Sequence, residues 1–424
     1  MNRALAKRIV ARLSCSDSHN IHFDEFLPRD WEHTFSWLHG SGLTFHLFRQ
    51  IENDKSVPAG IRSRLKSDLA SNTLRMNDMF GEFKSINQLF ESAGLTFAVQ
   101  KGFSLVPEYC TLMELRHQTD FDYLISPQSL NEARDILRSR GYTGESHYDQ
   151  EFVLRTPFTR EPNSHDFFGL QPSRCVELHL ALWEEKMCQV SLPAPEDALE
   201  HIQMRTLHEH VFPALSTEDI FLCQTTHVLR HIFAFWGRLS WLLEIATFIR
   251  TRERFEDNAF WDRVRQRTRQ NKHMAEALGV VLCLAELLFD LQVPRALAAW
   301  TTDTLSQPAR LWVKRYGWEF SLAPAPGSKL SLLLQEYFMA DSSIWRQQRS
   351  SRLFPMHRPL AFASEPPSAK RPTPQRKWRQ RGLHVLHRSR FHLRSFLRYV
   401  FELPRWRQAL RRERLRQQTL GTAS

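Results

Sequence analysis

The sequence predicts an α+β fold, in which a small mixed sheet of α/β type is flanked by helical regions on both sides. Three observations predict it. Apolar residues recur at helical spacing before about residue 95, and again from Pro195 to about Leu291. Between these regions, short apolar runs of strand length alternate with turn residues and one amphipathic helical segment. That order is typical of a sheet core with helices packed against it.

Residues 1–94 are predicted to form a helical N-terminal region. From Met79 to Phe90 the apolar side chains lie three and four residues apart, which indicates one face of a helix. Gly94 suits the end of that helix, because glycine adopts the left-handed conformation without strain. The first residues predict an amphipathic helix, and they lack the uninterrupted apolar stretch of a signal peptide.

Residues 95–192 are predicted to form the sheet core. A Lys-Gly turn follows the first strand, a helix is expected from Ser104, and a second helix ends at Gly141. The predicted strands are residues 95–100, 119–125, 151–158 and 175–183.

Helices are predicted to dominate again in residues 193–354, where Ser216 and Asp219 form a capping box at the start of one helix. Residues 355–381 are rich in Pro, Ser and basic side chains and are interpreted as a linker. The remaining residues, 382–424, are expected to contain a basic amphipathic helix, which we call the tail.

The formal net charge of +11 is unevenly distributed. Residues 345–424 contain 20 Lys and Arg against three acids, whereas the rest of the chain contains 37 basic and 43 acidic side chains. The body is therefore mildly acidic and the basic character belongs to the tail. The basic isoelectric point is thus no argument for nucleic-acid binding by the whole chain.

Cysteine usage and hydropathy indicate a cytoplasmic protein. The six cysteines are scattered without a CxxC pair, which favours reduced thiols and predicts no disulfide-linked partner. The longest apolar run, residues 278–291, is interrupted by Glu286 and Asp290 and is too short to span a bilayer.

Asp120 and Asp122 are the strongest candidates for a chemical role. They lie two apart on a predicted strand, so both carboxylates leave the same face. Burying two such charges unpaired would cost several kcal/mol, and a divalent cation removes that cost. Glu177, on a later predicted strand, would supply a third carboxylate. Mg²⁺ or Mn²⁺ is the expected metal, in a site able to hold two ions.

The Lys-Gly turn upstream of these acids is suited to phosphate. Gly102 lets the backbone approach a ligand closely, and Ser104 offers a hydroxyl at a helix start. Lys101 and Arg116 are the cations best placed to neutralise a triphosphate. The acids follow in a fixed order, with Asp120 coming 18 residues after Gly102.

Three stretches that contain these residues resemble a known protein family. The stretches AGLTFAVQKGFSLVPEY, LRHQTDFDYLISPQSLNEARDILRSRGY and VELH resemble an uncharacterised bacterial nucleotidyltransferase family of the DNA polymerase β superfamily. The similarity covers roughly residues 25–300. It implies a metal-dependent transfer of a nucleotidyl group from an NTP to an acceptor that the sequence does not identify.

Two residues depart from that family's pattern. Glu177 stands where an aspartate is common, which puts catalytic competence in question, and Glu244 likewise stands where an aspartate is expected. The resemblance also implies that the helix bearing His227 and His231, together with Arg238, lines the acceptor side. Taken alone, the two histidines are spaced to share a metal or to pack within the helical core.

His179 lies two residues beyond Glu177 on the same strand face. It is either a hydrogen-bonded structural histidine or a residue that orients a metal ligand. Two other functions stay open: a non-catalytic member that binds nucleotide or a partner, and a metal-dependent glycosyltransferase, which also uses an Asp-x-Asp pair.

Three partners suit the basic tail, particularly residues 382–416. It could dock on the acidic body, lie on an anionic membrane surface, or bind nucleic acid. The sequence therefore predicts a cytoplasmic or membrane-peripheral location.

Overall fold

The structure is a computed structural model. It describes residues 1–14, 20–148, 150–159, 167–171, 173–183, 190–192, 194–253, 257–269, 271–323, 328–339, 342–354 and 374–421. Four helices precede the sheet: α1 (Arg3–Ser14), α2 (Pro28–Ser41), α3 (Thr44–Ile51) and α4 (Ala59–Ser92). As predicted, α4 is followed by Gly94 in the left-handed conformation, with a φ of 69°.

The sheet has seven described strands. They are β1 (Phe97–Val99), β2 (Phe121–Ile125), β3 (Gly144–Tyr148), β4 (Glu151–Arg155), β5 (Cys175–His179), β6 (Gln203–Leu207) and β7 (His210–Ala214). Their spatial order is β3-β4-β5-β2-β1-β7-β6. The β2–β5 and β1–β7 pairs are parallel and the others are antiparallel, which confirms the predicted mixed sheet. Helix α5 (Leu130–Ser139) follows β2.

The two faces of the sheet have different neighbours. Because side chains alternate along a strand, Phe121 and Tyr123 of β2 point to the face covered by α4, where they pack against Phe83. Leu124 points the other way, into the apolar core of the helical regions. Asp122 shares that second face, so the candidate acid lies between the sheet and the helices that follow it.

The helices after the sheet pack with the N-terminal ones. They are α6 (Thr217–Phe233), α7 (Leu239–Glu253), α8 (Asn258–Arg267), α9 (Lys272–Phe289), α10 (Arg295–Ala298), α11 (Gln307–Ser321), α12 (Ser331–Phe338) and α13 (Ser342–Leu353). Side chains of α1, such as Ile9, belong to the same buried core as Phe248 of α7 and Leu282 of α9. The predicted N-cap is confirmed, since the Ser216 hydroxyl accepts from the Asp219 backbone N–H at 3.1 Å.

The last described helix is α14 (Pro374–Gly421), which contains the tail. It packs against the body through Tyr399 and Trp406, both buried, and Trp406 lies 6.0 Å from the ring of Tyr316 on α11. Glu402 accepts a hydrogen bond from the Tyr316 hydroxyl at 3.2 Å. Of the three partners considered for the tail, the structure contains the contact with its own body.

Three expectations differ from the structure. The helix expected from Ser104 is only one 3-10 turn, Gly102–Leu105. The expected dominance of helices from Pro195 is wrong for residues 203–214, which form the β6–β7 hairpin and extend the sheet. Helix α14 begins inside the predicted linker 355–381, whose residues 355–373 lie outside the described chain. The domain boundaries after residues 94, 192, 354 and 381 stay predictions.

No helix in the described part of the chain is both long enough and apolar enough to cross a membrane.

Candidate functional site

Strands β2 and β5 bring the predicted acids together. In their parallel register Asp122 lies beside Glu177. Val176 and Leu178 of β5 point into the apolar cluster beneath α4, so the intervening Glu177 and the following His179 point to the opposite face. The alternation that buries the apolar residues therefore places two carboxylates and an imidazole side by side.

A lysine closes this group from the next strand. The Lys101 ammonium, just beyond β1, donates to Asp122 Oδ1 at 2.6 Å. His179 Nε2 lies 3.4 Å from the same oxygen and 3.7 Å from Glu177 Oε2. Lys101, Asp122 and His179 are all at most 9% exposed, so these charges interact with little screening by water. We call Lys101, Asp122, Glu177 and His179 the acidic cluster.

Burial and neighbouring charges shift the titration of the cluster. Burial would lower the pKa of Lys101, but the Asp122 carboxylate outweighs it and raises that pKa. Burial would raise the pKa of Asp122, but Lys101 and His179 hold it well below its usual value. The pKa of Glu177 is raised well above its usual value by burial and then by Asp120. The cluster has more carboxylates than cations, a condition that a divalent ion relieves.

The donor set fits a metal ion. Asp122, Glu177 and His179 each offer one ligand atom, and these atoms lie within 4.8 Å of one another. Two carboxylates and one imidazole could hold a divalent cation, and its identity as Mg²⁺ or Mn²⁺ stays a prediction. Asp120 precedes β2, and its Oδ2 accepts from the Thr119 hydroxyl at 3.2 Å. Burial and then Asp122 raise the pKa of Asp120, and its role as a metal ligand stays a prediction.

The backbone conformation and the close packing of the Lys-Gly turn both favour glycine. Gly102 has a φ of 67°, and a Cβ atom there would come within 2.5 Å of Gln118 Nε2. Ser104 is fully buried, and its hydroxyl donates to the Lys101 carbonyl oxygen at 3.3 Å. The hydroxyl predicted to bind phosphate is thus held inside the turn, which leaves that role a prediction.

Arg116 lies in a second ion pair below this turn. Its Nε donates to Glu244 Oε1 at 2.7 Å, across 128 residues of sequence. Another guanidinium nitrogen donates to the Gly102 carbonyl oxygen at 3.0 Å, and Gln224 donates to Glu244 Oε2 at 2.9 Å. Arg116 therefore stabilises the Lys-Gly turn. These bonds do not include the predicted contact of Arg116 with phosphate.

A group of aromatic side chains, which we call the aromatic wall, faces the acidic cluster. It consists of His227 and His231 of α6, Trp236 between α6 and α7, and Trp241 of α7. Ring centroids of His227 and Trp241 are 4.6 Å apart, and those of His231 and Trp236 are 4.2 Å apart. Burial, followed by nearby cations, lowers the pKa of both histidines well below the usual value, so the wall is neutral. Arg238, beside it, donates to the His117 carbonyl oxygen at 2.7 Å.

A narrow cleft of about 10 Å³ lies between the acidic cluster and α6. Lys101 and His179 line one side, and His227 and Arg230 line the other. The structure thus brings Lys101, His179 and the predicted acceptor-side helix to one cavity, whereas Asp120, Asp122 and Glu177 are not among the described residues that line it.

The sequence alone did not reveal every residue of the site. Trp183 lines the cleft, and its place on a predicted strand, an even number of residues after Glu177, was a usable signal. Gln224 and Trp236 were also missed. Gln224 lies three residues before His227, so helical spacing could have placed it on a neighbouring face.

Comparison with known proteins adds one match. The model of a family described as an uncharacterised nucleotidyltransferase matches residues 28–290, more than half of the chain. The match includes the sheet, the acidic cluster, the aromatic wall and both ion pairs. No curated protein matches the sequence.

Proposed function

The chain belongs to this nucleotidyltransferase family, and from that premise we propose that it transfers a nucleotidyl group from an NTP to a hydroxyl or phosphate of an acceptor. The observation that carries the proposal is the register of β2 and β5, which places Asp122 beside Glu177 and brings His179 close to both. Excess buried carboxylates need a cation, and NTP-Mg²⁺ supplies one together with the reacting phosphate.

Asp122, Glu177 and His179 would hold the metal, with Asp120 as an additional carboxylate beside them. The ion, Mg²⁺ or Mn²⁺, supplies Lewis-acid stabilisation of the phosphate charge. Glu177 would also accept the proton of the acceptor, because its carboxylate lies beside Asp122 on the same face of the sheet. The length of Glu177 relative to aspartate is compatible with this, because its Oε2 already reaches to 3.7 Å from His179.

Lys101 is proposed to exchange partners during nucleotide binding. Its ammonium donates to Asp122 in the structure, and with a divalent cation held by that carboxylate Lys101 would instead contact the triphosphate. Gly102 permits close approach of the phosphates, and Arg116 keeps the turn in place through the Gly102 carbonyl. Ser104 would contribute after a local rearrangement of the turn.

The aromatic wall and Arg238 are proposed to contact the acceptor. Neutral histidines and two tryptophans favour a ring-bearing or apolar acceptor portion, and Arg238 and Arg230 favour an anionic group on it. The acceptor's identity, whether small molecule, sugar, peptide or protein side chain, is decided by this wall.

A second candidate function is a non-catalytic nucleotide-binding protein of the same fold. One observation favours it: the Lys101–Asp122 pair balances the most acidic carboxylate without a metal. Tight NTP binding without pyrophosphate release would support this alternative.

The test is incubation of the full-length protein with each labelled NTP and Mg²⁺ or Mn²⁺, measuring pyrophosphate release and labelling of the protein itself. We expect turnover with at least one NTP. Asp120→Asn and Asp122→Asn should each lower it roughly thousandfold, because a bound metal supplies several kcal/mol of transition-state stabilisation.

Asp135→Asn is the matched control, since this α5 carboxylate has a side chain 72% exposed and lies outside the cleft. Full activity of Asp122→Asn, in protein whose melting temperature is unchanged, would contradict the proposed mechanism.

We also propose a cytoplasmic location. The four cysteines in the described residues, Cys110, Cys175, Cys223 and Cys283, carry free thiols.

A further inference from the structure

Helix α14 has two apolar faces, of which the body uses one. Tyr399 and Trp406 are buried against the body, and the ring of Phe396 lies 4.5 Å from that of Phe354 at a tilted angle. Ion pairs reinforce this face, because Arg398 pairs with Glu319 and Arg315 lies 3.6 Å from Glu402. These contacts account for one side of the helix.

A second apolar stripe runs along the outer side. Leu386, Leu393, Leu397, Val400 and Phe401 are between 44% and 67% exposed. The first four follow at intervals of seven, four and three residues, so they share one face. At about 100° per residue, this face is opposite to Tyr399 and Trp406. We call these five residues the outer stripe.

Exposed arginines border the outer stripe on both sides. Arg390, Arg394 and Arg412 lie along one side at helical spacing. The other side carries Arg407 and Arg414, and Arg411 continues the line of the stripe itself. The only acids between residues 382 and 421 are Glu402, which is turned to the body, and Glu413.

We propose that the outer stripe binds an anionic lipid bilayer surface, with α14 lying in the plane of the membrane. Leucine, valine and phenylalanine side chains would enter the acyl boundary, while the flanking arginines meet lipid phosphates. Residues 1–344, with 43 acids against 37 bases, are repelled by the same surface, so the charge distribution orients the helix toward the membrane.

Charge and hydropathy together favour this occupant over two others. Nucleic acid would take the arginines but leave the aliphatic stripe in water, since aliphatic side chains do not stack with bases. A second copy of the helix would cover the stripe but bring arginines of like charge together. An anionic bilayer satisfies both the apolar and the charged side chains.

The experiment is co-sedimentation of the full-length protein with vesicles of phosphatidylcholine, alone or with roughly a third phosphatidylglycerol. We expect pelleting only with the anionic vesicles, and less of it at high salt. Replacing two stripe residues, Leu393→Gln with Leu397→Gln, should weaken vesicle binding about tenfold or more.

The matched control replaces Leu74→Gln with Met204→Gln, two residues that are 67% and 62% exposed on α4 and β6. This control should pellet like the unmodified protein. Circular dichroism and melting temperature check that both double variants are folded.

Protein that stays in solution with anionic vesicles overturns the proposal, as does a stripe variant that pellets normally. Stripe-dependent dimerisation or RNA binding, without vesicle binding, overturns it too and assigns the face to that partner.

Discussion

Two buried ion pairs lie close to the Lys-Gly turn, and they differ in what surrounds them. Lys101 meets Asp122 at 2.6 Å, and Arg116 meets Glu244 at 2.7 Å. Glu244 has each carboxylate oxygen occupied, one by Arg116 and the other by Gln224. Asp122 instead shares its surroundings with Glu177, a carboxylate that has a raised pKa.

This difference separates a structural ion pair from one that is proposed to take part in the reaction. In the Arg116–Glu244 pair, charge and hydrogen bonds are balanced, so the pair has a single stable arrangement and fixes α7 to the turn. The Lys101–Asp122 pair has a further carboxylate, Glu177, beside it, and we propose that a second cation could displace the lysine there. Both pairs are short and buried, and the additional carboxylate is the difference on which this proposal rests.

The largest expected effect on stability is at the balanced pair. Glu244→Gln should lower the free energy of unfolding by about 3–5 kcal/mol, because it leaves a buried arginine without its counter-charge. Asp122→Asn should lower it by less than about 1 kcal/mol, since Glu177 can release its proton and balance Lys101. Urea unfolding of both variants measures the difference.

Glu244→Asp is the conservative control, keeping the charge but shortening the reach to Arg116. It should fall between the unmodified protein and Glu244→Gln. Equal losses for Glu244→Gln and Asp122→Asn would remove the distinction between the two pairs.

A smaller effect tests whether Lys101 competes with the metal. Lys101→Met should tighten Mn²⁺ binding about tenfold, because the ion no longer displaces an ammonium from Asp122. Isothermal titration with Mn²⁺ alone measures this without reference to activity.

Lys329 offers the control, since it is also buried but its ammonium donates to the Leu353 carbonyl oxygen, and burial lowers its pKa to about 8. Lys329→Met should leave Mn²⁺ affinity unchanged. Unchanged or weaker Mn²⁺ binding by Lys101→Met would count against exchange.

A third effect concerns the aromatic wall, which is neutral where the two pairs are charged. Because the folded-state pKa values of His227 and His231 are lowered, the unfolded chain binds protons below about pH 6.5 that the folded chain does not. Stability should therefore fall as pH drops below that value, by up to about 1.4 kcal/mol per pH unit for each histidine.

Replacing both residues, His227→Gln with His231→Gln, should flatten this fall in melting experiments between about pH 7.5 and about pH 5.5. His117 and His46 also have lowered pKa values and remain in the variant, so a smaller slope is expected to persist. An identical slope with and without the two histidines would contradict a neutral wall.

The sequence was most informative where the alternation of apolar and polar residues agrees with the position of turn residues such as glycine. Strands β1, β2, β4 and β5 lie within the predicted runs, and α5 ends just before Gly141, whose φ is 91°. The β6–β7 hairpin was not predictable in the same way. Its turn residues His208 and Glu209 adopt positive φ without glycine or asparagine, and Pro213 lies within β7.

In the site, Asp122 could be placed on a face of one strand and Glu177 with His179 on a face of another from alternation alone. Asp120 was predicted on the same strand as Asp122 but lies just before β2. The ion pairs could not, because each joins residues distant in sequence through packing of separate elements. Arg116 was predicted to contact phosphate for its charge, and only the structure shows that Glu244 of α7 is its partner.

The β7–α6 junction has a mechanical consequence. The backbone N–H of Leu215, directly after β7, donates to the Val99 carbonyl oxygen at 3.2 Å, and Ser216 then caps α6. The chain is bonded to β1 at Leu215 and enters the capped helix at Ser216, so this junction has no irregular segment that could act as a hinge. We therefore expect the distance between the carboxylates of the sheet and the histidines of α6 to be fixed when the chain folds. Under the proposed function, an acceptor would have to fit that distance.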